Sequence, residues 1–165
     1  MSLIMHWLHL VAVVAWIGGL TYILLVVAPV ALSIDPATRA TIAPRLVRRF
    51  LTLVWISVVL LLGTGLYRVF AVQQMWTATA WFSSGYGHIL LTKLVLSLLL
   101  FGIAGHLTFA SYPKLRAHME EHAMSPAPVA CTTCIRMMRK ARRMLKLAWV
   151  IGLLIILLAA RLRGA

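Results

Sequence analysis

Acidic side chains are nearly absent from this sequence: Asp35, Glu120 and Glu121 are all it has, against 16 Lys and Arg in 165 residues. Any cation placed deep in the fold therefore has few carboxylates of its own chain to meet. Cysteine is scarce too. Cys131 and Cys134 sit in one segment and read as a reduced pair in a compartment where disulfides are rare. There is no Gly-rich phosphate loop and no nucleophile elbow, which argues against hydrolytic chemistry. HMEEH at 118–122 has its glutamates in the wrong places for the HExxH of metalloproteases. No Lys or Arg precedes Arg39, so the first apolar run lacks the basic start of a secretory signal and is expected to stay in the mature protein. Internal repeats and low-complexity tracts are missing, and the only breaker cluster is Ser125 to Pro128.

What is present is apolar surface. The chain is 62% hydrophobic and only 12% charged, with a mean hydropathy of +0.96. Ordinary globular domains run at about 45–50% apolar and about 25% charged. A soluble fold of this length could not hide the excess. The formal net charge of +13 would suggest nucleic acid in a soluble protein, but nucleic acid is not the expected partner of a chain this apolar. The composition instead defines an integral membrane protein, all-α, one domain over 1–165, with no room for a separate catalytic domain.

Four runs are long enough to cross a bilayer, which takes about 20 helical residues. They cover 3–32, 50–70, 88–110 and 145–160. They are continuously apolar rather than alternating, which excludes porin-like strands. The fourth is short, so Lys146 and Arg161 are expected to snorkel to the two interfaces. Twelve of the cations fall between spans one and two or between spans three and four, the latter in a basic loop over 113–143 and at its edge. The segment joining spans two and three has none after Arg68. The positive-inside rule then predicts a four-helix bundle with both termini outside and the basic loops in the cytoplasm, against anionic lipid. Trp76, Trp81, Phe82 and Tyr86 in the outer segment suit an interfacial anchor or a lid.

Ionisable residues inside a span are costly and mark candidate sites. His6 and His9 fall at the outer end of span one, Arg68 near the outer end of span two, and His88 and Lys93 in the outer half of span three. His106 is 18 residues beyond His88, about 27 Å along the same face, so the two cannot share a metal. His9 and His88 match in depth, as two axial ligands of a b-type haem would. Arg68 and Lys93 then stand ready for an anion such as a haem propionate, although a snorkelling lysine would be equally natural. Gly18, Gly19, Gly63 and Gly65 either admit a flat macrocycle or pack helices closely.

The same end offers a copper alternative. Met5, His6 and His9 form a Met-His-x-x-His cluster, with Met5 and His9 one turn apart. Thioether plus imidazole suits copper, Cu(I) above all. A possible second site, His118, His122, Cys131 and Cys134, has spacings a tetrahedral zinc or copper site can close.

The segments HLVAVVAWIGGL (9–20), RFLTLVWISVVLLLGTGLYRVF (49–70) and YGHILLTKLVLSLLL (86–100) together resemble the membrane domain of the copper resistance protein D family. The resemblance covers spans one to three and leaves out span four and the CxxC loop. A more distant similarity runs to the small haem-binding four-helix protoporphyrinogen oxidases of bacteria, through His9, Lys93 and His106, with Leu91 where those proteins usually carry a His. These resemblances imply the bacterial inner membrane and either copper movement or a haem-dependent redox role. The sequence reading favours haem b on His9 and His88, with Arg68 and Lys93 beside it. The chain would then carry electrons within a redox complex and, if catalytic, serve a haem-dependent oxidoreductase. Copper handling with a periplasmic carrier is the second reading, and a cofactor-free accessory subunit the third.

Overall fold

The computed structural model describes residues 2–72, 82, 85–123 and 132–164, and every element in them is helical. We label four rods: α1 (2–33), α2 (36–72), α3 (85–123) and α4 (132–164). Each contains a stretch of membrane-spanning length and apolarity: Leu3–Ala31, Ile42–Phe70, Gly87–Ala117 and Arg136–Arg161. The protein is a four-helix polytopic membrane protein. Its lateral surface agrees, since Val14 is 70% exposed and Phe109 72%, a cost that only lipid removes.

Helical structure extends past the predicted spans at the basic end. α2 starts at Pro36, where Asp35 caps it by accepting the Thr38 backbone N–H at 2.8 Å. Pro36 itself has no N–H to satisfy at that position. Arg45, Arg48 and Arg49 therefore ride on a helix rather than in a loop. The same holds for the cations from Arg136 to Lys146, all on α4.

The rods pack closely in two pairs, α1 with α2 and α3 with α4, and α1 also touches α4. The core gathers Trp16, Leu20, Val54, Val58, Leu100 and Ile151. A π-helical turn at Val14–Gly18 carries two consecutive residues, Trp16 and Ile17, into that core. The extra residue in such a turn changes which face points inward. Gly152 of α4 sits where any side chain would collide with Ile17, so its missing Cβ lets α1 and α4 meet. Gly19 performs the same service against Phe50 of α2, whose ring lies 2.9 Å from where a Cβ would stand. Gly18, Gly63 and Gly65 face open space instead, so their missing side chains are not what lets helices meet.

Across the wider seam, large side chains make the connection. Trp16 stacks on Phe101 with ring centroids 5.6 Å apart, and Trp55 meets Phe109 at 5.5 Å. The indole N–H of Trp55 donates to Thr108 at 3.2 Å, and the Tyr112 hydroxyl to the Pro44 carbonyl at 3.3 Å. Behind these bridges, towards the basic end, lies an apolar cavity of about 350 Å³ among all four rods.

Candidate functional site

The end of the bundle opposite the basic one brings together side chains from three rods. α1 supplies Met5, His6 and His9, one turn or less apart on a regular helix. α2 runs antiparallel to it and places Thr64 and Arg68 alongside. α3 brings Lys93, half-buried, close enough for its charge, with that of Arg68, to act on His9.

The hydrogen bonds fix what each imidazole can offer. Thr64 is buried, and its hydroxyl proton goes to the Leu60 carbonyl one turn back on its own helix. A hydroxyl has one proton to give, so the 2.8 Å contact with His9 Nδ1 has His9 donating. Nδ1 then carries the proton and Nε2 keeps its lone pair, which is how an orienting partner prepares a histidine for a metal. His6 is in the opposite state. Its Nδ1 lies 3.2 Å from an Arg68 guanidinium nitrogen, which can only donate, so that lone pair is already engaged. Two histidines three residues apart thus differ in their hydrogen bonding, His9 to a threonine and His6 to a guanidinium.

Thr64 is the residue the sequence reading missed. The signal was a hydroxyl set between two glycines, at a depth matching His9. Its importance depends on azimuth, which spacing alone does not reveal.

His88 differs from His9 in burial. Its ring is exposed on the first turns of α3, whereas His9 is half-buried. It is Lys93, five residues further along, that reaches the surroundings of His9. His106 is exposed and lines the cavity toward the basic end. Among the described residues no group of three or more His, Cys, Asp or Glu could hold a metal. Trp76, Trp81, Cys131 and the side chains of Tyr86, His118, His122 and Cys134 lie outside the described residues. Phe82 is exposed.

A four-rod membrane bundle with a polar cluster at one end is a broad class, and sequence comparison narrows it. The copper resistance protein D family matches residues 44–162, well over half of the chain. The protein belongs to that family. The matched region takes in spans two, three and four, including the fourth span that the motif resemblance left out, and begins beyond the segment carrying His9. No curated protein and no solved structure matches the chain. Family and span number are consistent with a multi-pass protein of the bacterial inner membrane.

Proposed function

We propose that the protein handles copper as cargo, receiving Cu(I) at the end of the bundle that carries both termini. The observation that carries this reading is the His9–Thr64 hydrogen bond, which leaves His9 Nε2 unprotonated beside the Met5 thioether on the same helical face. The name of the family points to copper as well. Imidazole with thioether is a soft donor pair suited to Cu(I). Arg68 and Lys93 sharpen the preference. Repulsion between fixed charges and a bound ion scales with the ion's charge, so two cations nearby penalise a divalent ion twice as much as a monovalent one. A pair of protein donors under that repulsion fits an ion that passes through rather than one that is stored.

In this reading the termini face outside and the basic ends of α2 and α4 face the cytoplasm, by the charge asymmetry. A periplasmic copper carrier is the partner class the outer end would meet. Haem b on His9 and His88 has less support, since His88 is exposed while His9 is half-buried.

The test is anaerobic Cu(I) titration of the protein in nanodiscs, read by competition with a coloured chelator. One equivalent bound by the wild type, and at least a tenfold loss in His9→Ala, is expected. Wild-type protein that binds no copper but purifies with a Soret band would replace this reading with the haem one.

A further inference from the structure

A cavity lies in the basic half of the bundle, away from His9 and Met5. On α3 its lining runs from Leu100 to Arg116, sixteen residues further on and so about 24 Å along the axis. One leaflet of bilayer hydrocarbon is about 15 Å thick, so this cavity reaches from headgroup level to the midplane. Its deep walls are apolar, formed by Trp16, Leu20, Leu100 and Ile103. At the basic end, the exposed cations Lys114 and Arg116 of α3 and Lys140 of α4 close the lining. A slot that is hydrocarbon-like for its length and cationic at its mouth has the polarity of an anionic lipid in reverse.

We infer that this cavity is a binding site for an anionic phospholipid, with one acyl chain inserted among the four rods and the phosphate held between Lys114 and Lys140. Its volume, about 350 Å³, lies at the small end of ligand cavities and suits a single chain rather than two. The route in is structural. α2 and α3 meet through side chains such as Tyr112 and Trp55, and such a seam admits a flexible chain without parting a close helix interface. Placing the chain there also fills space that would otherwise cost the surrounding side chains their packing contacts.

The experiment is native mass spectrometry of the full-length protein, stripped of lipid in detergent and titrated with phosphatidylglycerol or with phosphatidylcholine of the same acyl chains. One phosphatidylglycerol should bind ahead of any phosphatidylcholine. The Lys114→Gln/Lys140→Gln double variant should weaken that first event about 30-fold, roughly fivefold for each cation lost near a lipid phosphate. Ala141→Phe, which adds a ring at the half-buried cavity wall, should abolish it while thermal unfolding shows the bundle intact. Equal binding of the two lipids, or an unchanged first event in the lysine variant, would overturn the assignment. If Ala141→Phe fails to fold, the lysine variant decides alone, because its substitutions lie on exposed positions. Copper binding is read separately, and its loss or retention has no bearing on this site.

Discussion

Trp149 of α4 donates its indole N–H to the hydroxyl of Thr21 on α1 at 2.9 Å, while that hydroxyl donates to the Ile17 carbonyl on its own helix at 2.8 Å. The same device occurs at two other interfaces. Trp55 of α2 donates to Thr108 of α3, which bonds the Ala104 carbonyl, and His9 of α1 donates to Thr64 of α2, which bonds the Leu60 carbonyl. In each case a threonine satisfies its proton locally and offers its oxygen to a ring N–H from a neighbouring rod. Hydrocarbon provides no other acceptor, so each ring N–H depends on that oxygen.

Thr21→Val keeps the shape of the side chain and removes the acceptor. It should destabilise the bundle by about 0.6 to 1.7 kcal/mol, the range seen for interhelical hydrogen bonds in membranes. Trp149→Phe on the Thr21→Val background should cost less than the two single effects added, because the orphaned donor is gone. Unfolding in mixed micelles measures both; strict additivity would show the bond to be idle.

Thr64→Val addresses function rather than stability. Without its acceptor, the His9 ring loses both its orientation and its preferred tautomer, and Cu(I) affinity should fall about 10- to 100-fold, as for other partners that orient metal-binding histidines. Nitrogen-15 shifts of the His9 ring supply an independent readout. The wild-type ring should show a protonated Nδ1, and the variant a mixture of tautomers.

His6 and His9 should respond differently to the same substitution. His6→Ala removes a ring whose lone pair is already held by Arg68, so Cu(I) binding should be little changed. His9→Ala should remove it. Equal losses in both variants, measured by the same chelator competition, would mean that His6 exchanges Arg68 for the ion.

Glycines that look alike in the sequence should behave unlike one another. Gly152→Ala places a methyl against Ile17 and should destabilise by about 1 to 3 kcal/mol, as overpacking does; Ile17→Val in addition should recover part of it. Gly18→Ala meets open space and removes a flexible residue from a helix, so it should leave stability unchanged or raise it by up to about 1 kcal/mol. Thermal unfolding of the three variants in one detergent tests the contrast.

The four spans could be read from the sequence because a run of twenty apolar residues has one meaning in water and another in lipid, and only the second is stable. The gathering of His6, His9, Arg68 and Lys93 at one end was also legible, since depth follows from counting residues along a helix. Azimuth was not. α3 is apolar on every side between Ile89 and Ala104 apart from Thr92, Lys93 and Ser97, so nothing in its pattern says which face turns inward. His88 could be placed at the depth of His9 but not seen to lie exposed. Thr64 and Thr108 were invisible as acceptors for the same reason. The basic segments misled differently: charge density there suggests loops, whereas Asp35 and the long stretch from Thr132 continue the helices beyond the membrane.

In lipid, one leucine-lined groove is as good as the next, and a helix could slide a turn along its neighbour at little cost. A slide of α1 by one turn, about 5.4 Å, would carry Thr21 out of reach of Trp149 and His9 out of reach of Thr64, and the same slide of α2 would part Trp55 from Thr108 and Thr64 from His9. These three bonds act as dowel pins. They set the vertical alignment of the rods, and one of the pins is itself the imidazole proposed to take the ion, so the alignment that assembles the bundle also levels the end where that imidazole stands.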